Sequence, residues 1–148
     1  EFGTLLLRPL ESSLSQLGEW FTVGVGSLLA VVFLSSGLAK LLAWDNSVAE
    51  MQAAGLQPPV LFNLASAVVL LGGSLCLLLD RLLWLGSGAL AVFMLLTIAI
   101  VHAFWTTHGA EQQLTLFFAL EHLSVVGGLI CAAIASRARA QKNSSSSR

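Results

Sequence analysis

The chain has 148 residues, of which 56% are hydrophobic and 10% charged, with a mean hydropathy of +0.85. A soluble domain carries roughly 25% charged residues because its surface faces water, so most of this surface faces something else. The formal net charge of −1 and the absence of a basic stripe exclude a nucleic-acid partner, which needs clustered cations to neutralise phosphates.

The few charges punctuate long apolar runs. The opening Glu1-Phe2-Gly3-Thr4 reads as a cloning-junction remnant, and residues 1–18 as an N-terminal tail in which Arg8–Gly18 is either a short interfacial helix or unstructured. Trp20–Ala39, enclosed by Glu19 and Lys40, predicts a helix over about 20–42. It is too long for a signal peptide, and no small-residue cleavage pattern follows it. The connection Leu41–Pro59 carries Asp45-Asn46, Gly55 and Pro58-Pro59. Within it Ser47–Ala54 is expected to form a short surface helix capped by Asp45 or Asn46.

Val60–Leu79 predicts the second long helix, over 60–79, and Asp80-Arg81 a tight link to the next. A link this short forces an antiparallel hairpin of helices. Leu82–Trp105 predicts the third helix, over 82–105, with His102 as its only ionisable member. After the polar connection Thr106–Gln113 comes Leu114–Ser136, a helix over 114–136 with Glu121 and His122 inside it. Residues 137–148 read as a basic, flexible tail.

Each run has about 20 residues, enough to cross a hydrocarbon core of about 30 Å. Lipid cannot satisfy open backbone groups, so the runs must be helices, and none alternates as a barrel strand does. The expected fold is therefore all-α: a four-helix transmembrane bundle over 19–136, with the lipid bilayer as its main partner. Both termini then share one side. Assigned inside, they gather Arg8, Arg81, Arg137, Arg139, Lys142 and Arg148, against Lys40 alone outside. That asymmetry satisfies the positive-inside rule and predicts a topology with both termini cytoplasmic. Trp20 and Trp84 then fall at the inner boundary and Trp44 and Trp105 at the outer one, as an aromatic belt requires.

Helix association in lipid rests on close contact of small residues. On the first helix Gly26, Ala30, Phe33, Gly37 and Lys40 recur at three- and four-residue steps; on the fourth Glu121, Ser124, Gly128, Cys131 and Ala135 do so. Gly37, Gly72, Gly73, Gly127 and Gly128 are the expected packing glycines, with further close approaches at Gly86 and Gly88. Such faces also admit a homo-oligomer. Cys76 and Cys131 form no Cys-x-x-Cys pair, which argues against a dithiol oxidoreductase; they read as small packing residues.

Lys40, His102, Glu121 and His122 all fall in the outer half of the bilayer. An ionisable group at that depth costs several kcal/mol unless paired or wetted, and by default marks a site. With Glu121 heading the small-residue face of its helix, Lys40, His102 and Glu121 are expected to line a polar pocket opening toward the outer leaflet. The structural alternative has Lys40 snorkelling to the headgroups and Glu121 bonding His102 to lock the third helix to the fourth. A bis-histidine haem is disfavoured: Glu121 and His122 differ by about 100° around the helix, so an inward Glu121 turns His122 aside. A zinc site needs three or four converging ligands, and none is assigned; His108 reads as a solvated loop residue.

Several stretches resemble the DoxX family. Ser36-Gly37-Leu38-Ala39-Lys40-Leu41 is similar to its Gly-x-x-Lys signature, and Leu96-Thr97 through Val101-His102-Ala103-Phe104-Trp105 to its third helix, which ends in His followed by Phe or Trp. Leu123–Leu129 resembles the Gly-Gly portion of its fourth helix, and Met51 to Gly55-Leu56 and Pro58 its first outer loop. The resemblance spans about 22–136. Two positions depart from it: Leu70-Leu71 stand where many members have a Glu before the Gly-Gly of the second helix, and Glu121-His122 stand where many have Lys-Asn.

The resemblance implies a four-helix protein of a bacterial inner membrane, associated with thiosulfate:quinone oxidoreduction or thiol-oxidative-stress complexes. The function it implies is a small membrane subunit or anchor of a quinone- or thiol-linked redox system, working with a redox partner protein. Quinone would enter from the lipid, with its head group bonded by His102, Glu121 or Lys40. The alternative is a non-enzymatic, chaperone-like protein that binds other membrane segments.

Overall fold

The computed structural model describes residues 2–147, with side chains described for 12–79 and 81–147. The expectations for Glu1, Arg148 and the side chains of Arg8 and Asp80 therefore lie outside the described residues. Five α-helices follow in order: α1 Phe2–Leu42, α2 Trp44–Ala53, α3 Pro59–Leu78, α4 Leu83–Ile100 and α5 Gly109–Ser146. Short 3-10 turns at Asp80–Leu82 and Phe104–Thr106 lie between them, and no strand occurs among the described residues.

Four of these helices, α1, α3, α4 and α5, are long and apolar enough to cross a membrane. Their exteriors confirm what solvates them. Phe21, Val31, Phe117 and Ile134 are each more than 60% exposed, an arrangement stable only where the surroundings are as apolar as the side chains. The chain is a multi-pass membrane protein.

The helices alternate in direction and close a ring in which α1 touches α3, α3 touches α4, α4 touches α5, and α5 returns more sparsely to α1. One end of the ring carries the start of α1, the end of α5 and the Asp80–Leu82 turn, called here the terminal end. The other carries α2 and the Val101–His108 segment, called the α2 end.

At the terminal end the α3–α4 link is as tight as the sequence requires: the Leu82 amide donates to the Leu79 carbonyl at 2.9 Å. At the α2 end, α2 stops in a paired closure. The Leu56 amide donates to the Met51 carbonyl and the Gly55 amide to the Gln52 carbonyl, both at 3.0 Å. The pattern needs a left-handed residue between them, and Gly55 supplies it at φ 77°. No side chain caps the start of α2, so the expected Asp45 or Asn46 cap is not made; the helix grows directly out of α1 through Ala43. Pro59 opens α3 at its first turn, where a missing N–H costs nothing.

The core is one cluster: Ala30 and Phe33 of α1, Leu70 and Leu77 of α3, Leu83, Leu90 and Met94 of α4, and Val126, Leu129 and Ala132 of α5. On α1 the buried face is the expected one, with Gly26, Ala30, Phe33 and Gly37 all buried. Gly37 is held tightly, since a Cβ there would lie 2.9 Å from Leu71 and 3.1 Å from Leu70. Between α3 and α4 the approach is closer still. A Cβ on Gly73 would meet Leu90 Cγ at 2.6 Å, and one on Gly86 would overlap Cys76 Cβ and lie 2.9 Å from the Gly73 carbonyl oxygen.

Not every glycine of the expected set does this. Gly72 and Gly127 have no atom within 4 Å of a Cβ position, and Gly128 only Leu29 at 3.7 Å. Each neighbour along a helix turns about 100°, so Gly73 facing α4 obliges Gly72 to face outward.

α5 is where the packing departs from the small-residue expectation. Its buried residues are Ala119, Val126, Leu129, Ala132 and Ser136, whereas Glu121, Ser124 and Cys131 are exposed. The helix is rotated by about one residue step, about 100°, from the face that Ser124, Gly128, Cys131 and Ala135 suggested. Contact area decides this: Val126 and Leu129 contribute more van der Waals contact to the cluster around Leu90 and Met94 than a Ser-Gly-Cys stripe can.

Candidate functional site

The rotation of α5 decides which side chain meets His102. α4 ends earlier than its apolar run: the Thr97 carbonyl accepts from both the Val101 amide at 2.8 Å and the His102 amide at 3.1 Å. Accepting two successive amides closes the helix at Ile100, so His102 stands on the connecting segment and not on a helical turn. That segment runs beside the start of α5, tied by a 3.0 Å hydrogen bond between the Thr107 and Thr115 hydroxyls. His102 thereby reaches the level of Phe118 and His122.

The His102 and His122 rings meet edge to face with centroids 4.7 Å apart. The Phe118 ring lies 5.2 Å from that of His102 at a 32° tilt. His122 Nδ1 sits 2.8 Å from the Phe118 carbonyl oxygen. A carbonyl only accepts, so Nδ1 carries a proton, and in the neutral ring Nε2 keeps its lone pair. Among the described residues no hydrogen bond occupies His122 Nε2 or either His102 ring nitrogen. Both imidazoles are half-buried, with one flank accessible from outside the bundle.

Glu121 does not point into the bundle as expected. It is exposed and makes no hydrogen bond or ion pair among the described residues, because its neighbour His122 takes the inward direction. Lys40 is engaged elsewhere: its Nζ lies 3.7 Å from a Glu50 carboxylate oxygen on α2, with side-chain exposures of 16% and 69%. The four polar residues thus divide: Lys40 pairs with Glu50 under α2, His102 and His122 meet between α4 and α5, and Glu121 stands exposed beside them, within electrostatic reach of His102.

The geometry also tests a haem between the two imidazoles. Axial ligands on opposite faces of a porphyrin, each with a metal–nitrogen bond of about 2 Å, hold their ring centres about 6 Å apart. Edge-to-face contact at 4.7 Å leaves no such gap.

Asn63 is a further polar residue within the bundle, outside the polar cluster expected from the sequence. It is fully buried, and its Nδ2 donates to the Lys40 carbonyl at 3.2 Å. That carbonyl belongs to the last turn of α1, whose final four C=O groups have no partner within the helix, so α3 caps α1 through this amide. An Asn in an otherwise apolar run just after Pro58-Pro59 was the available signal.

The model of the DoxX family matches residues 27–103, just over half of the 148-residue chain. The chain belongs to the DoxX family. No curated protein and no solved structure matches it. The DoxX match runs from the core half of α1 to the residue after His102 and includes Gly37, Lys40, Asn63, Gly73 and Gly86. α5, with His122 and Glu121, lies outside the matched stretch. The DoxX core of this chain therefore supplies one imidazole, and the second comes from the last helix.

Proposed function

We propose that this DoxX-family protein is the membrane subunit of a quinone-linked redox system and holds the quinone head group at the His102–His122 pair. The observation that carries the reading is the edge-to-face imidazole pair, with three ring nitrogens unoccupied by protein. It lies near the level of Trp44 and Trp105, both at the α2 end and both exposed, where an aromatic belt marks the edge of the hydrocarbon.

Quinone reduction to quinol takes up two electrons and two protons. The pair supplies both hydrogen-bonding modes this needs. His102, free to take either tautomer, donates an N–H to a quinone carbonyl. His122, with Nδ1–H held by Phe118, offers Nε2 as acceptor to a quinol hydroxyl. The Phe118 ring adds an apolar face for the head group. Electrons come from a redox partner protein. The proposed setting is a bacterial inner membrane, as the family suggests, with both termini inside, on the distribution of the Lys and Arg residues in the sequence.

The test is direct. Protein extracted from its native membrane in mild detergent is assayed for co-purified quinone by solvent extraction and chromatography. We expect close to one quinone per chain in the wild type and loss in His102→Ala. Equal quinone content in both, or none in either after reconstitution with quinone, refutes the reading.

A second reading has one observation in its favour. Glu121, Ser124, Gly127 and Cys131 leave an acid-headed, small-residue stripe facing outward, as on a protein that docks other membrane segments or a second copy. A stable partner that co-purifies without bound quinone, and is lost on enlarging Gly127, favours it over the first.

A further inference from the structure

At the terminal end, far from the histidines, a groove of about 270 Å³ opens between α4 and α5. Its floor is made of small residues, Gly88, Ala91 and Ala133, and Ile130 and Ile134 form its walls. Its mouth carries Trp84 and Arg137, with the Arg137 guanidinium 5.1 Å from the centre of the Trp84 ring. Among the described residues no carboxylate pairs with Arg137.

One atom inside the groove is out of place for a purely apolar cleft. Ser87 lines it, is 2% exposed, and its Oγ has no hydrogen-bond partner. Serines on apolar helices ordinarily bond back to the carbonyl one turn earlier, and Ser74 does so to Leu70 at 2.6 Å. Ser87 does not, which leaves a buried, unpartnered donor in the lining of the groove. A buried donor left without a partner is costly, so an occupant with an acceptor at that position is favoured.

The spacing defines the occupant. Arg137 and Trp84 lie at the membrane boundary, Ser87 three residues or about 4.5 Å deeper, and the apolar floor extends about 10 Å along α5 from Arg137 to Ile130. An anionic group at the mouth, an acceptor about one turn below it and a hydrocarbon chain beyond are the chemistry of an anionic glycerophospholipid: phosphodiester, acyl ester carbonyl and acyl chain. Basic pockets between transmembrane helices bind such head groups. We infer that the α4–α5 groove is a binding site for one anionic phospholipid, with Arg137 on the phosphate, the Ser87 hydroxyl donating to an ester carbonyl, and one acyl chain lying over Gly88 and Ala91.

The full chain, purified in a zwitterionic detergent, is titrated with dioleoyl phosphatidylglycerol or dioleoyl phosphatidylcholine and read by native mass spectrometry for lipid retained per chain. Wild type retains one phosphatidylglycerol about tenfold more tightly than phosphatidylcholine. Arg137→Gln levels the two lipids, and Ser87→Ala weakens retention of both about fivefold. Gly88→Leu fills the groove and removes both; a Cβ there meets no atom within 4 Å, so the side chain starts in open space. Arg137 is exposed, so its variant keeps the test decisive if Gly88→Leu aggregates. Equal retention of the two lipids by wild type overturns the inference, as does a preference unchanged in Arg137→Gln. Displacement of the lipid by millimolar glycerol phosphate shows an anion site without a lipid chain, and overturns it too.

Discussion

Replacing Gly86 with alanine drives a methyl group into the closest helix contact of the bundle. The added Cβ overlaps Cys76 Cβ and lies 2.9 Å from the Gly73 carbonyl oxygen. Both obstacles sit on or next to the α3 backbone, so no change of rotamer relieves them and α3 and α4 must separate. Overpacking of this kind costs about 1–3 kcal/mol, and the upper end applies where backbone is the obstacle. The better helix propensity of Ala returns about 0.5–1 kcal/mol, leaving a net loss of about 2 kcal/mol. Gly73→Ala meets Leu90 Cγ at 2.6 Å, a side chain with no exposure, and should lose about 1–2 kcal/mol by the same accounting. Gly72→Ala, with nothing within 4 Å, keeps only the propensity gain and should be neutral to slightly stabilising. The assay is equilibrium unfolding in mixed micelles, followed by circular dichroism. Cys76→Gly combined with Gly86→Ala should recover part of the loss, since residues in contact are not additive. A Gly86→Ala protein as stable as Gly72→Ala would refute the packing argument.

Four further outcomes follow from the geometry. Asn63→Ala leaves the Lys40 carbonyl buried without its 3.2 Å donor and should destabilise the fold by about 1–3 kcal/mol, measured in the same unfolding assay. Glu50→Gln removes an ion pair whose carboxylate is 69% exposed, so global stability should change by about 0–1 kcal/mol; a larger change means α2 depends on that pair. Glu121→Gln should leave quinone content and stability unchanged, because the carboxylate is exposed and makes no hydrogen bond or ion pair among the described residues. His122→Phe, which keeps the ring and removes Nε2, should lower quinone retention without unfolding the chain.

Helix number and type were legible because the lipid constraint acts on whole runs: about 20 apolar residues bounded by charge leave a helix as the solution. The packed face of α1 was legible too, since the small residues Gly26, Ala30 and Gly37 recur with Phe33 at three- and four-residue steps and all four are buried. The face of α5 was not. Its outward side also carries small residues at the right steps, and a one-residue rotation exchanges Glu121 for His122. Sequence periodicity cannot separate two adjacent faces when each carries one large polar group, Glu121 or His122; the bulk of Val126 and Leu129 against Leu90 and Met94 does. The early end of α4 was hidden for a different reason. Apart from His102, Val101–Trp105 continues the apolar run, and the two amides converging on the Thr97 carbonyl mark the exit that carries His102 to α5. Lys40 lies at the end of α1 beside α2, and its partner, Glu50, sits on a helix whose docking the sequence did not reveal.

The central claim is that the quinone head group sits between His102 and His122. Photoaffinity labelling with an azidoquinone, followed by peptide mapping, tests it most directly. Label should concentrate in residues 101–107 and 117–123 and fall sharply in His102→Ala. Label in the α4–α5 groove around Ser87 and Ile130 instead, with residues 101–107 and 117–123 unmarked, would contradict the account.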